Sequence, residues 1–216
     1  MTAELAPGTA LQDVAVFPLP EVVLFPGAPL PLHIFEPRYR TMIEDVLASD
    51  RRLCVTQIPQ PSELDAEGRP RLCQVSGLGE IVDHARLPDG RFELLVVGRA
   101  RVMLTELPFR PPYRRACAVV LDTFARENVD QDLASLVASA TRFLAAVRRA
   151  GQEVELELPR SRDPGLLADA CAHLLILDAG ERQSVLEALD VSVRLRRCAQ
   201  AIALQEARLA PPSAAN

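Results

Sequence analysis

Up to about residue 124, apolar side chains alternate with polar ones or fall in short runs; after residue 128 they recur every three or four positions. Val14–Leu19 reads as a short first strand ending at proline. In Pro29–Phe35, Leu30, Leu32 and Ile34 alternate with Pro31, His33 and Phe35, a strand whose prolines place it at a sheet edge or a bulge. Between them, Phe25-Pro26-Gly27-Ala28 has the residues of a type II turn: Pro26 presets the first corner and Gly27 admits the positive φ of the second. The period then changes. Tyr39, Met42, Ile43, Val46 and Leu47 form one helical face, Pro37 suits the first helical position, and Arg40 and Glu44 are spaced to pair on the outside. Arg52–Ile58 is again a strand, and the polar, proline-rich Pro59–Pro70 an exposed loop. Strands follow to Phe124, with a hairpin at Leu87-Pro88-Asp89-Gly90-Arg91. Phe92–Val97 is apolar enough to be buried on both faces, Arg99–Thr105 alternates, and Tyr113–Leu121 closes the series.

Beyond a polar break at Asn128 and Asp130, Leu133, Leu136, Val137, Ala140, Phe143, Leu144 and Val147 form a helical stripe that Gly151 ends. Asp163-Pro164 caps a second helix, and Asp178 with Glu181 resembles a capping box before a third. Asp190 opens the last, with Leu195, Cys198, Ile202 and Leu209 on one side. The short segments before residue 11 and after 210 read as tails. Strands and then helices imply an α+β chain or two domains, residues 11–124 and 128–209.

The chain has 216 residues, 49% hydrophobic and 25% charged, enough for a packed core. Seven Phe and two Tyr are its aromatics, so the core is aliphatic. A net charge of -5 argues against nucleic acid as a partner, which needs a basic face. All basic side chains are Arg; without Lys there is no P-loop lysine, Schiff base or Ser-Lys dyad. Cys54, Cys73, Cys117, Cys171 and Cys198 are odd in number and widely spaced, and MTAELAPGTALQ is neither basic nor apolar enough for a secretory signal. With no long apolar run either, these features lead us to expect a cytoplasmic protein with reduced, mostly buried thiols and no membrane partner.

A search for chemistry returns little. His33, His84 and His173 are scattered, no three ligands converge by spacing, and Cys171 and His173 point different ways on one helix. Arg51-Arg52, Arg114-Arg115, Arg148-Arg149 and Arg194-Arg196-Arg197 could form a phosphate-binding surface, but the acidic total favours solvated arginines on outer faces. No catalytic residue, metal or cofactor is expected.

The segment Phe17–Tyr39, with Val22-Val23-Leu24-Phe25-Pro26-Gly27 and Leu30-Pro31-Leu32-His33-Ile34-Phe35-Glu36-Pro37-Arg38-Tyr39, resembles the start of the Lon protease N-terminal, substrate-binding domain. Leu87–Arg91 followed by Val97-Gly98-Arg99-Ala100-Arg101-Val102 is similar to that family's central hairpin, and 163–169 and 183–191 to its helical part. The resemblance spans about residues 12–209. It implies a PUA-like β pseudo-barrel followed by an α-helical bundle, in a stand-alone protein without ATPase or protease modules. The implied role is non-catalytic binding of unfolded or apolar protein segments, with a separate protease or chaperone as a candidate partner; the alternative is RNA binding, which PUA-like barrels support. On this reading Pro26, Gly27, Phe35, Glu36, Arg38 and Tyr39 are structural: the turn enters an edge strand, Phe35 anchors it in the core, and Glu36-Pro37 starts the helix carrying Tyr39. Leu30, Leu32 and His33 form the candidate peptide-binding rim.

Overall fold

The computed structural model describes residues 5–125, 129–151 and 161–209. It divides into two compact units, Met1–Asp122 and Thr123–Asn216. The first holds a six-stranded sheet and one helix; the second is helical, so the chain is α+β.

In the first unit the elements run β1 (Ala10–Leu19), β2 (Pro29–Ile34), α1 (Pro37–Leu47), β3 (Arg52–Gln57), β4 (Val75–Arg86), β5 (Phe92–Glu106) and β6 (Arg114–Val120). The spatial order is β2-β5-β4-β3-β1-β6, and β5 also pairs with β6. Pairing therefore returns on itself through β5 while β2 keeps a free edge, a pseudo-barrel rather than a closed barrel. Among the strand pairs of this sheet, β1 with β3 is parallel and the others are antiparallel.

Strand alternation sorts the core into two clusters. Ala15 and Phe17 of β1, with Leu53 and Val55 of β3, join Ile34, Phe92, Leu94, Val96 and the α1 residues Tyr39, Met42, Ile43 and Val46. Val14, Val16 and Cys54, one step out of phase, join Leu78, Val102, Leu104, Ala116, Ala118 and Val120. The 15-residue β5 lends its first half to one cluster and its second half to the other.

Between β1 and β2 the chain crosses this sheet at close range. The Phe25 carbonyl accepts from Ala28 N at 3.1 Å, and Gly27 has φ +79°. The turn docks on β5 through Gly27 N to Gly98 O (2.8 Å) and Gly98 N to Ala28 O (3.0 Å). A Cβ on Gly98 would stand 2.0 Å from the Phe25 carbonyl oxygen, and one on Gly77 2.1 Å from that of Leu24. These two glycines let Leu24 and Phe25 sink until they are 1% and 0% exposed.

Several expectations change. Phe35 is not a core anchor: it is 61% exposed, because the core-facing alternation of β2 ends at Ile34. Phe92–Val97 is not buried on both faces; Glu93 is exposed and Leu95 and Val97 half-buried beside the single edge strand β2. The apolar run 92–97 and the alternating run 99–105 are one strand through Gly98. β1 starts at Ala10, four residues before the sequence pattern shows it, with a register shift between Leu11 and Val14 where Asp13 has φ +55°. Residues 5–9 are tied down, Gly8 N donating to Val120 O at 2.8 Å. Glu44 pairs with Arg86 of β4 at 3.0 Å.

The second unit comprises α2 (Asp130–Arg149), α3 (Pro164–Leu175), α4 (Ala179–Leu186) and α5 (Val191–Leu209). Arg196 meets Asp132 at 2.8 Å and Arg142 meets Glu206 at 3.3 Å, ten residues further along both helices, so α2 and α5 run parallel. The sequence caps form: Asp163 Oδ1 accepts from Gly165 N at 2.7 Å, Asp178 Oδ1 from Glu181 N at 2.8 Å, and Asp190 Oδ1 from Ser192 N at 2.9 Å. Two arginines expected on solvated outer faces are buried instead: Arg114 of β6 is 9% exposed, and Arg194, 2% exposed, lies 3.6 Å from the buried Asp169 and donates through Nε to the Ala188 carbonyl at 3.0 Å. The polar break at Asn128 and the tail after 210 lie outside the described residues.

Candidate functional site

The first unit carries a groove of about 750 Å³. One wall is the end of β1, Phe17 to Pro20; the second is the end of β2 and the start of α1, Leu32 to Tyr39. The third comes from Glu67-x-Arg69-Pro70 before β4, from Phe109, Pro112 and Tyr113 before β6, and from Arg114, the first residue of β6. Phe17, Phe35, Tyr39, Phe109 and Tyr113 all line it, so an aromatic-poor chain has placed five of its nine aromatic rings at one site. Burial and ring packing set the floor: Phe17 and Tyr39 meet edge to face at 4.6 Å, while Phe35 and Phe109 (43% exposed) stand at the mouth.

The charged residues of the walls are mostly neutralised in place. Arg38 lies 4.5 Å from the Tyr39 ring centroid and is held by Glu36 at 2.8 Å, which identifies the partner of Arg38 across the turn into α1. Arg69 is held by Asp65 and Glu67, each at 2.8 Å, and its guanidinium covers the Phe109 ring at 4.7 Å. The Tyr113 hydroxyl donates to Asp45 on α1 at 2.6 Å and also meets Arg115. Burial, and next that bond to Asp45, push the Tyr113 phenol up to about 12. Burial likewise raises Tyr39, with Arg38 and Arg114 pulling the other way.

Of the rim residues read from the sequence, Leu32 and His33 line the groove, as do Phe35, Glu36, Arg38 and Tyr39. Leu30 does not; it packs half-buried against the core. Pro26 and Gly27 form the turn on β5. His33 stacks near Phe35, ring centroids 6.3 Å apart, and its Nε2 lies 3.3 Å from Arg91 Nη1. The reading from sequence missed Arg69, Phe109, Tyr113 and Arg114. A usable signal was there: Leu107-Pro108-Phe109-Arg110-Pro111-Pro112-Tyr113 repeats the apolar, proline-rich character of Leu24–Phe35.

Among the described residues, no group of three or more His, Cys, Asp or Glu could hold a metal ion, and no helix is long and apolar enough to cross a membrane. His173 is half-buried, and burial followed by nearby Arg182 lowers its pKa.

Residues 13–203 match the family model of the ATP-dependent protease La (Lon) substrate-binding domain. The chain belongs to the Lon substrate-binding domain family. Among curated relatives, Lon protease 2 of Herpetosiphon aurantiacus is 28% identical over 196 residues, 90% of this chain and 24% of that protein. Lon protease of Heliobacterium modesticaldum is 26% identical over 187 residues, 86% of this chain and 23% of that protein. The chain thus spans about a quarter of the length of these relatives. Among solved structures, the N-terminal domain of Mycobacterium avium complex Lon protease covers 88% of this chain and 98% of its own, with a TM-score of 0.62 and 22% identity. A Lon N-terminal domain protein from Xanthomonas campestris gives 0.58 and 21%, covering 87% of this chain and 96% of its own. In this Lon-domain fold, the family motif Phe17–Tyr39 builds two of the three walls of the groove.

Proposed function

We propose that this Lon-type domain is a non-catalytic recognition module that captures unfolded polypeptide through exposed apolar segments, and that the aromatic groove of the first unit is where it does so. The observation carrying this reading is the groove itself: a concave, largely apolar surface of a size suited to several side chains, with two exposed phenylalanines at its mouth. Burying apolar surface contributes about 25 cal/mol per Å², so affinity comes from such walls while polar groups set register.

The edge of β2 supports capture by side chains rather than by strand addition. The Ala28 carbonyl accepts from Gly98 N, so by the alternation of antiparallel pairs Leu30, Leu32 and Ile34 direct their backbone groups to β5. Pro29, Pro31 and His33 then face outward, and two of these three have no N–H to offer an incoming strand.

The test is binding of a fluorescently labelled, reduced and carboxymethylated protein, followed by anisotropy. Phe35→Asp and Phe109→Asp, both at exposed positions, should weaken binding at least several-fold with the circular dichroism spectrum unchanged. Wild-type affinity in both variants would remove the groove as the capture surface. In the same preparation neither casein cleavage nor ATP turnover is expected; activity that copurifies with the protein would refute the non-catalytic reading.

A further inference from the structure

The third wall of the groove contains a hairpin built differently from the rest of the unit. Between β3 and β4 the chain leaves the sheet after Gln57 and returns at Cys73, and Cys73 N donates to Gln57 O at 3.0 Å across the base. Beyond that base, residues 63–71 are bonded to one another. Asp65 N donates to Arg69 O and Arg71 N to Glu63 O, both at 2.8 Å, and Leu64 pairs antiparallel with Pro70. Asp65 Oδ1 accepts from the backbone N–H groups of Glu67 and Arg69. The ion pairs of Arg69 with Asp65 and Glu67, and of Arg71 with Glu63, also stay inside the hairpin.

Among the described residues, no hydrogen bond or ion pair links residues 59–71 to the rest of the chain, and none of them is buried. The hairpin meets the opposite side of the wall through the Arg69 guanidinium, 4.7 Å from the Phe109 ring centroid. At its base Leu72 packs half-buried against the second core cluster. A segment bonded tightly within and loosely without moves as a unit, because its displacement breaks few contacts. Residues directly opposed in an antiparallel pair project to the same face. Pro70 lines the groove, so its partner Leu64, 62% exposed, stands on the groove side of the hairpin.

We propose that residues 63–71 form a hinged flap of the groove, which lifts Arg69 off Phe109 to admit a stretch of unfolded polypeptide from the side and then closes on it with Leu64 and Pro70. This rests on the groove being the capture surface. Asp65 and Glu67 hold Arg69 within the hairpin, so the guanidinium leaves Phe109 with its counter-charges and no charge is stranded. The departure uncovers the Phe109 ring for the incoming segment. Leu64 then exchanges water for the apolar side chains of that segment, which makes closure more favourable on an apolar stretch than on a polar one. Entry from the side needs no chain end, so internal stretches of an unfolded chain are substrates.

The experiment uses the full chain and an apolar, Trp-free peptide, with its two ends free or blocked. The chain has no Trp, so Leu64→Trp reports on the flap alone. Its emission should shift to the blue, and its quenching by acrylamide should fall, as either form of the peptide saturates the groove. Leu64→Asp, at an exposed position, should speed dissociation of a labelled peptide several-fold with the circular dichroism spectrum unchanged. Arg69→Gln frees the flap from Phe109 and should speed association about two- to fivefold, the shift in the open fraction that one exposed cation–ring contact supplies. A folding defect would not accelerate binding. If the Trp emission is unmoved at saturation, or if Leu64→Asp and Arg69→Gln both bind at wild-type rates, the hairpin is a fixed wall and the flap is refuted while the groove stands. If the free-ended peptide binds and the blocked one does not, entry from the side is refuted. If the wild-type chain binds neither form, the capture surface falls and the flap with it.

Discussion

Replacing Gly98 by Ala adds one methyl group to β5 at the point where the Phe25-Pro26-Gly27-Ala28 turn is docked. That Cβ would stand 2.0 Å from the Phe25 carbonyl oxygen, and relief to an ordinary 3.4 Å contact moves backbone by roughly 1.4 Å. The displacement breaks the Gly27–Gly98 and Gly98–Ala28 hydrogen bonds, about 1 kcal/mol each. It also disturbs the packing of Phe25 and Leu24, which are fully buried, and overpacking of this kind costs about 1–3 kcal/mol. The expected loss is therefore about 3–5 kcal/mol, a large part of the stability of a domain this size. Gly27→Ala is the control. No atom lies within 4 Å of its Cβ, so only the left-handed backbone is penalised, about 1–2 kcal/mol. Intrinsic tyrosine fluorescence reports on the right unit, since the chain has no Trp and Tyr39 and Tyr113 both lie before residue 122. At roughly 4 °C per kcal/mol, Gly98→Ala should lower Tm by more than about 10 °C and Gly27→Ala by about half that or less. A Gly98→Ala melt that superposes on wild type, or a Gly27→Ala variant equally destabilised, would show that close approach at Gly98 does not limit the fold.

Burial pushes the Cys54 thiol up to about 12 and Cys171 up to about 11, and raises Cys198 as well; a thiol reagent at pH 8 should modify only Cys73 and Cys117 in the native protein and all five after denaturation. Because Cys54 and Tyr113 have folded pKa values above their ordinary 9.0 and 10.0, the folded state holds protons that the unfolded state releases. Their stabilisation is complete below about pH 9 and lost as pH rises towards 12, so urea midpoints should fall across that range, and a flat profile would count against the burial of both groups. We propose that the two units are separable domains: limited proteolysis should cut first within 123–130 or 59–70, whereas early cuts inside β5 or α2 would contradict that organisation.

Local chemistry determined much of this protein from its sequence. Proline and glycine at 26–27 specify a turn, Pro37 a helix start, and Asp163, Asp178 and Asp190 helix caps, because each acts within a few residues of itself. Period-two and period-3.6 apolar patterns likewise separated strands from helices, since they reflect burial on one face of one element. Tertiary structure alone decided what depends on neighbours distant in sequence. Phe35 looked like a core anchor in its alternating strand, yet the core ends at Ile34 and leaves it at the mouth of the groove. Gly77 and Gly98 look like ordinary strand breakers until the crossing of Leu24 and Phe25 shows that any Cβ would collide. The groove itself joins Phe17, Tyr39, Arg69, Phe109 and Arg114, residues separated by up to about a hundred positions, and no local propensity encodes that meeting. It follows from β5 pairing with β2, β4 and β6 in turn, a topology set by the packing of the whole sheet.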